Sequence, residues 1–282
     1  MRNRFTALFY LVRLPNLIIV ALTQGLIYFG LLLPSLQRAG INPVLDGWLF
    51  FLLVLVTILI TAGGYLFNDL MDGPMDRINR PEKVVIGIHL SRQNAYWLTY
   101  AAHLLAFIAS LYLAFRTDNT HLIFIFPVAV GGLYLYSSAL KKLPLLGNLL
   151  VAAYCAGVAG IIWLAEYSAL AKLRIQDPYN YQRCLLVVSW FMVFAFLATL
   201  YREIIKDMED YRGDKESGLF TLPIYLGMPT TKAVAFFVGM GLATFLVYAG
   251  INYSHLLSES LIYLGVALVM LPLVISFVIL WG

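Results

Sequence analysis

Long apolar stretches without charged side chains alternate with short polar loops along the whole chain. Each stretch has about 20 residues, the length that an α-helix needs to cross the apolar core of a bilayer. Eight of them follow one another, at 17–33, 48–67, 95–115, 122–140, 146–165, 184–201, 233–251 and 261–281. A backbone inside lipid must satisfy its own hydrogen bonds, and segments of this length suit helices rather than barrel strands. The pattern predicts an all-α, polytopic transmembrane helical bundle.

The composition agrees with an integral membrane protein. Of the 282 residues, 61% are hydrophobic and 12% are charged, whereas a soluble domain carries about 25% charged residues. Because little of the chain lies outside the eight stretches, we expect a single transmembrane domain over residues 1–282 and no sizeable soluble domain.

The basic residues are divided unevenly between the two sides of the predicted bundle. When the loops are numbered alternately from the N-terminus, one side holds 14 Lys and Arg residues and the other holds 5. Cytoplasmic loops of membrane proteins carry the excess of basic residues. The first side is therefore predicted to face the cytoplasm, as in a multi-pass protein of the cell membrane. The net charge of +4 reflects this sorting and does not indicate a nucleic-acid ligand.

Two acidic rows with the same internal spacing are the main chemical signal in the sequence. The first row is Asp69, Asp72 and Asp76, and the second row is Asp207, Asp210 and Asp214, each 138 positions further along. A spacing of three and then four residues places the carboxylates on one face of a helix. Carboxylates arranged in this way repel one another, so the rows predict a divalent cation and a polyanionic ligand that bridges the metals.

The equal offset also predicts an internal repeat. Four predicted spans lie between the rows, and an even number of crossings returns the chain to the same side. We therefore expect two parallel four-helix half-repeats around a central cavity, with both rows on the cytoplasmic side. Loops 77–94 and 212–232 follow the rows and are expected to carry short helices over the site. Gly73-Pro74 is expected to break or bend the helix within the first row.

The residue types favour magnesium as the metal. Mg²⁺ prefers oxygen ligands, keeps several waters and is usually held by one or two carboxylates plus phosphate oxygens. Histidine and cysteine ligands, which zinc prefers, are missing from both rows. Nearby basic residues, with Lys141 and Lys142 as the best candidates, would stabilise a departing diphosphate together with the metal.

The residues around both rows resemble one enzyme family. Asn68-Asp69-x-x-Asp72-x-x-x-Asp76 is similar to the first aspartate signature of the UbiA-type intramembrane prenyltransferases. The second row is similar to their second aspartate motif. Arg13-Leu14-Pro15-Asn16, the Lys141-Lys142 loop and Gly147-Asn148 extend the resemblance over nearly the whole chain.

The resemblance implies a bundle of helices, usually nine against the eight counted here, with a cavity that opens laterally to lipid. It also implies magnesium-dependent transfer of an isoprenoid chain from a prenyl diphosphate to a lipophilic acceptor. The candidate site residues form three overlapping sets. The metal ligands are Asn68, Asp72, Asp76, Asp207, Asp210 and Asp214; the catalytic residues are Asp72, Asp76, Asp210, Asp214 and Lys141; the substrate-binding residues are Asn16, Asn68, Asp69, Arg77, Tyr136, Lys142, Arg202 and Lys206.

The sequence around the rows also indicates an acceptor class. The runs 76–81 and 202–214 are similar to the branch of the family that makes digeranylgeranylglyceryl phosphate. That branch alkylates a hydroxyl of geranylgeranylglyceryl phosphate to form an ether lipid. Arg202, Lys206 and Arg212 are candidates for binding such an anionic acceptor. Aromatic-ring prenylation in quinone biosynthesis and prenylation of haem or chlorophyll are the alternatives within the family.

A secondary transporter is the alternative from another class, because intramembrane carboxylates and repeats are typical of transporters. Transporter acids should lie near the middle of the bilayer, however, and these rows lie at the ends of predicted helices. A CDP-alcohol phosphotransferase would carry one continuous acidic motif instead of two rows 138 residues apart. The sequence leaves the prenyl chain length, the oligomeric state and the general base open.

Overall fold

The computed structural model describes residues 4–79, 84–253, 270–271 and 273–276. These residues are predominantly helical, and the β pairing found among them is an isolated bridge between Ile86 and Leu90. The α-helices are α1 (Arg4–Leu11), α2 (Leu14–Ile27), α3 (Leu33–Arg38), α4 (Gly47–Asn79), α5 (Arg92–Thr117), α6 (His121–Ser138), α7 (Leu146–Ala165), α8 (Tyr167–Gln176), α9 (Pro178–Glu209), α10 (Tyr211–Glu216), α11 (Leu222–Leu226) and α12 (Met228–Tyr253).

Seven helical segments within the described ranges are long and apolar enough to cross a membrane. They are Leu14–Arg38, Gly47–Gly73, Arg92–Thr117, His121–Ser138, Leu146–Ala165, Pro178–Glu209 and Met228–Asn252. These segments correspond to the first seven predicted stretches, so the all-α transmembrane class is confirmed. The eighth stretch, 261–281, lies mostly outside the described residues. The two four-helix half-repeats stay a prediction.

The chain divides into two compact units. Unit 1 comprises Met1–Lys141 and Gly157–Ser189, and unit 2 comprises Lys142–Ala156 and Trp190–Gly282. The expectation of a single domain over residues 1–282 stays a prediction. The first acidic row belongs to unit 1 and the second to unit 2.

Two adjacent glycines allow close packing of the helices in unit 1. A Cβ atom on Gly63 of α4 would lie 2.4 Å from Nε2 of His103 on α5. A Cβ atom on Gly64 would lie 2.8 Å from a methyl group of Leu133 on α6. Larger side chains at these positions would push the helices apart, so the glycines bring α5 and α6 close to α4 just before the first acidic row.

A buried carboxylate joins two loops of unit 1. Glu166, between α7 and α8, is fully buried and accepts hydrogen bonds from the backbone N–H groups of Val44 at 2.9 Å and Leu45 at 2.8 Å. Burial raises the pKa of Glu166, and the two hydrogen bonds partly oppose that rise. The loop that follows α3 is thereby held against the start of α8.

A separate apolar core fixes the second half of α9 in unit 2. Its buried members come from α7, α9, α11, α12 and the segment near residue 273; they are Ala152, Leu200, Tyr201, Ile204, Met208, Leu222, Ala235, Leu242 and Leu273. Since four of them lie on α9, this core sets the rotation of α9 where the second acidic row begins.

Candidate active site

One helix carries the whole first acidic row. Asn68, Asp72 and Asp76 are spaced at four-residue intervals in α4, so they form one stripe along its surface. Asp69 is offset from that stripe by one residue. Because α4 is helical through this segment, the helical placement predicted for Asp69, Asp72 and Asp76 is confirmed.

Of the two outcomes expected at Gly73-Pro74, a break is wrong, because α4 continues to Asn79; a bend stays a prediction. Proline has no N–H with which to bond the carbonyl four residues earlier, which is that of Leu70. Nη2 of Arg92 donates to this carbonyl at 3.4 Å. A side chain from α5 thus compensates for the hydrogen bond that proline removes.

Asp72 is the centre of a polar network within unit 1. Nζ of Lys141 forms an ion pair with Oδ1 of Asp72, and Nδ2 of Asn68 donates to Oδ2 of Asp72 at 2.7 Å. Oγ of Ser137 donates to Oδ1 of Asn68 at 3.3 Å. The side chain of Lys141 is largely buried. The structure therefore brings three predicted site residues together and adds Ser137, which the sequence analysis missed.

Asp69 has a different set of partners. Nη2 of Arg13 donates to Oδ1 of Asp69 at 3.1 Å, and the guanidinium lies 4.5 Å from the centre of the Tyr65 ring. Nδ2 of Asn16 donates to the Tyr65 hydroxyl at 3.2 Å. The Arg13-to-Asn16 motif is therefore placed against α4, one turn before the acidic stripe.

A small apolar cluster packs the N-terminal helix and a loop onto α4. It contains Ala7 and Leu11 of α1, Leu66 of α4 and Val85. The loop around Val85 forms a hydrogen-bonded turn, so the expected short helix is wrong for residues 84–91; residues 80–83 lie outside the described part. A Cβ atom on Gly87 would lie 3.7 Å from the exposed Arg77 side chain, which places Arg77 beside this turn.

Aromatic side chains line the same region of α4 and α6. The ring centroids of Phe67 and Tyr134 lie 4.0 Å apart, and the Tyr134 hydroxyl lies 3.3 Å from Nδ1 of His103. Nε2 of His103 lies 3.4 Å from the carbonyl of Ile60. His103 is thus buried, and both of its ring nitrogens have polar neighbours. Tyr136 is half-buried on α6, and its part in substrate binding stays a prediction.

The second acidic row is divided between two helices. Asp207 lies in α9, Asp210 at the junction and Asp214, which is buried, in α10. The backbone N–H of Asp210 donates to the carbonyl of Lys206 at 2.9 Å, and that of Asp214 to the carbonyl of Asp210 at 3.0 Å. The expected single helix is therefore interrupted at Asp210, but the helical spacing is kept.

Asn148 is a site residue that the sequence analysis did not place in any of the three sets. It is buried near the start of α7, and its Nδ2 donates to Oδ2 of Asp207 at 2.9 Å. The available signal was the Gly147-Asn148 pair, which offers a polar side chain at the start of an apolar span.

Glu203 is a third site residue, after Ser137 and Asn148, that the sequence analysis missed. Its side chain is only 8% exposed, and its carboxylate pairs with Nη2 of Arg202 at 2.6 Å and with Nζ of Lys206 at 3.9 Å. Two of the three predicted acceptor-binding cations thus share one buried carboxylate. Arg212 instead pairs with Glu216 at 3.1 Å on an exposed surface.

Lys142, next to the buried Lys141, is exposed at the end of a 3₁₀ turn. Its carbonyl accepts a hydrogen bond from the backbone N–H of Phe220 at 3.2 Å. Within unit 2, this contact holds Lys142 beside the loop that follows the second row. The role of Lys142 in substrate binding stays a prediction.

The donor set fits magnesium, although no three His, Cys, Asp or Glu side chains converge on a metal position among the described residues. The carboxylate of Asp72 forms an ion pair with Lys141, and that of Asp69 forms one with Arg13. The carboxylate of Asp207 accepts a hydrogen bond from Asn148. The donors are carboxylate and amide oxygens, and Mg²⁺ needs only one or two carboxylates once phosphate oxygens complete its shell. The face-to-face arrangement of the two rows stays a prediction.

Comparison with known proteins finds relatives over most of the chain. The family model described as the UbiA prenyltransferase family matches residues 26–282. A digeranylgeranylglyceryl phosphate synthase from Thermococcus gammatolerans is 34% identical over 222 residues, which cover 78% of this chain and 73% of that protein. One from Sulfurisphaera tokodaii is 28% identical over 270 residues, which cover 95% of this chain and 87% of that protein.

Solved structures share the fold. A structure of digeranylgeranylglyceryl phosphate synthase superposes with a TM-score of 0.58 and 20% identity, covering 96% of this chain and 87% of that chain. A UbiA homologue from Archaeoglobus fulgidus bound to GPP and Mg²⁺ gives a TM-score of 0.59 with 17% identity, covering 97% and 86% of the two chains. At these identities the likeness establishes the fold.

Proposed function

The chain belongs to the UbiA prenyltransferase family, and on this premise we propose that it transfers a geranylgeranyl chain from its diphosphate to geranylgeranylglyceryl phosphate. The product is a membrane ether lipid. Relatives with the name digeranylgeranylglyceryl phosphate synthase at 34% identity support this acceptor over an aromatic ring. The observation that carries the proposal is the Lys141–Asp72–Asn68 network, because it unites a cation with the family's acidic signature.

Lys141 is suited to bind the diphosphate of the prenyl donor. Its ammonium group is largely buried beside Asp72, in surroundings where an electrostatic interaction is stronger than in water. Asn68 holds Asp72 in place through a hydrogen bond, and Ser137 in turn donates a hydrogen bond to Asn68. Magnesium bound by the acidic rows would neutralise the diphosphate and make it a better leaving group. Lys141 would add a positive charge where negative charge develops as the diphosphate departs.

The reaction exchanges one bond to carbon for another. The bond between C1 of the prenyl chain and the diphosphate oxygen breaks, and a bond forms between C1 and the acceptor's hydroxyl oxygen. The hydroxyl proton passes to a nearby base, for which the carboxylates of the acidic rows are available. Apolar spans around the site would exclude water, which would otherwise capture the allylic cation.

The protein is an integral membrane protein, and we propose that its site opens to the cytoplasmic side of the cell membrane. The 14 to 5 distribution of Lys and Arg supports this orientation. Donor and acceptor would each leave the apolar chain in the bilayer and present the phosphate groups at the polar end of the spans.

The function is tested with purified protein in lipid nanodiscs, radiolabelled geranylgeranyl diphosphate and a choice of acceptors. We expect an ether product with geranylgeranylglyceryl phosphate and magnesium, and none with magnesium replaced by excess EDTA. Preferential labelling of 4-hydroxybenzoate instead would assign the protein to the aromatic-ring branch. Release of prenyl alcohol alone with every acceptor would contradict the transfer reaction.

A further inference from the structure

We infer that Arg202, Glu203 and Lys206 form the binding site for the phosphomonoester of the acceptor, with Glu203 as the residue that positions the two cations. This inference rests on the proposed function, because it assumes an acceptor that carries a phosphate. Nothing in the sequence signatures assigns Glu203 a role.

Glu203 is anchored by the packing of α9. It lies between Tyr201 and Ile204, which are both buried in the apolar core of unit 2. The Glu203 side chain is 8% exposed, so its carboxylate has little freedom to turn towards water. A buried carboxylate requires charged or hydrogen-bonding partners, and here Arg202 and Lys206 provide them.

The two cations remain accessible although they share this anchor. The side chain of Arg202 is 62% exposed and that of Lys206 is 42% exposed. A buried carboxylate thus holds two exposed positive groups on one side of α9. A phosphomonoester carries between about 1.5 and 2 negative charges near neutral pH, and the two cations together with Glu203 leave a net positive charge that attracts it. Ordering long side chains before the ligand arrives lowers the entropic cost of binding.

The position of this group on α9 suits a short acceptor head group. Glu203 and Asp207 are four residues apart, so they lie on the same stripe of the helix, separated by about 6 Å along its axis. The acceptor's phosphate and its reacting hydroxyl belong to the same glyceryl unit. A phosphate held by Arg202 and Lys206 would therefore leave that hydroxyl close to the second acidic row.

The pair Arg212–Glu216 provides an internal comparison. Its members are also arginine and glutamate, at 3.1 Å, but their side chains are 87% and 48% exposed. Exposed ion pairs of this kind contribute little to stability, because solvent screens the charges and holding two long side chains in one geometry costs entropy. The buried carboxylate distinguishes the Arg202–Glu203–Lys206 group from an ordinary surface ion pair.

The test compares steady-state kinetics of Glu203→Gln with those of the unmodified protein for two acceptors, geranylgeranylglyceryl phosphate and geranylgeranylglycerol. We expect KM for the phosphorylated acceptor to rise about tenfold in Glu203→Gln, as for the loss of one charge-assisted hydrogen bond. KM for geranylgeranyl diphosphate should differ by no more than about twofold from that of the unmodified protein. This is well below the effect of about tenfold expected for the loss of one such hydrogen bond. The preference for the phosphorylated acceptor should fall. Glu216→Gln serves as the matched control and should leave KM for the phosphorylated acceptor and KM for geranylgeranyl diphosphate unchanged.

Arg202→Gln keeps the test decisive if Glu203→Gln does not fold, because Arg202 is exposed. It should produce the same selective rise in KM. An unchanged acceptor preference in either folded variant would overturn the inference and leave the proposed function intact. An equal rise in KM for both acceptors and for geranylgeranyl diphosphate would show that Glu203 has only a structural role, which would also overturn the inference. A native enzyme that uses neither acceptor would contradict the proposed function itself.

Discussion

Arg13 and Asp69 are joined by a salt bridge of 3.1 Å between residues 56 positions apart. The same guanidinium stacks on Tyr65. Arg13 has a φ of 53° in the short break between α1 and α2, a left-handed conformation that costs L-residues about 1–2 kcal/mol. Because its side chain gains two contacts with α4, this break holds the N-terminal segment beside the first acidic row.

We expect Arg13 and Asp69 to be energetically coupled. A double-mutant cycle with Arg13→Gln and Asp69→Asn should give a coupling energy of about 0.5–1 kcal/mol, because the pair is partly exposed and screened by solvent. Thermal unfolding of the detergent-solubilised variants measures the cycle. Strictly additive effects would show that the contact in the structure does not stabilise the protein.

Lys141→Ala is expected to weaken binding of the prenyl diphosphate. The substitution removes the ammonium group that pairs with Asp72, and KM for geranylgeranyl diphosphate should rise by at least about tenfold, the cost of a charge-assisted hydrogen bond. Initial rates over a range of diphosphate concentrations measure this effect. Lys172→Ala, which changes an exposed lysine of α8, is the control. An unchanged KM in Lys141→Ala would remove Lys141 from the site.

Asp72→Ala and Asp210→Ala should each abolish turnover in a folded protein. Each takes one carboxylate from a row that we propose to hold the metal and diphosphate, and losses of about 10²–10⁴-fold are typical when a catalytic group is removed. Product formation under saturating substrate, with gel filtration as the test of folding, measures the outcome. Asp118→Asn, an exposed acid in a loop, should retain activity. Normal turnover in either alanine variant would contradict the site assignment.

Glu166→Gln is expected to destabilise unit 1. An amide has one acceptor oxygen, whereas the carboxylate accepts from both Val44 and Leu45. One buried N–H group is then left without a partner, at a cost of about 1–3 kcal/mol. Thermal melts measure the loss, with Asp46→Asn, an exposed acid of the same loop, as the control.

Glu166 also predicts a dependence of stability on pH. Burial raises its pKa above the ordinary value of 4.5, so the native state holds the proton at pH values where the unfolded chain has lost it. The contribution of Glu166 to stability therefore falls as pH rises from about 4.5 through the raised pKa, and is level above it. The difference in melting temperature between the unmodified protein and Glu166→Gln should follow this curve. A difference independent of pH would show that Glu166 does not titrate in this range.

Much of the site was predictable because it depends on local spacing. The stripe of Asn68, Asp72 and Asp76 follows from the helical period, and a helix preserves it wherever it packs. The lysine loop was also predictable, since Lys141 is a cation in a short connection on the side of the acidic rows. Its pairing with Asp72 was not, because that contact joins residues 69 positions apart.

The misses share one physical cause, which is that packing overrides local preference. Gly73-Pro74 predicts a break or a bend in α4, and the break does not occur, because Arg92 from another helix compensates for the lost hydrogen bond. Asn148 appears as an ordinary polar residue at the start of an apolar span until it meets Asp207. Glu203 appears as one more charge in a charged run until the rotation of α9 buries it.

The amino-acid sequence alone determined the transmembrane helical class, the family resemblance and the two acidic rows, because composition and helical periodicity are properties of neighbouring residues. Only the tertiary structure decided which partner each carboxylate has: Arg13 for Asp69, Lys141 for Asp72 and Asn148 for Asp207. These pairings arise from the rotation and separation of packed helices, which depend on side-chain volumes distant in sequence, such as the missing side chains at Gly63 and Gly64.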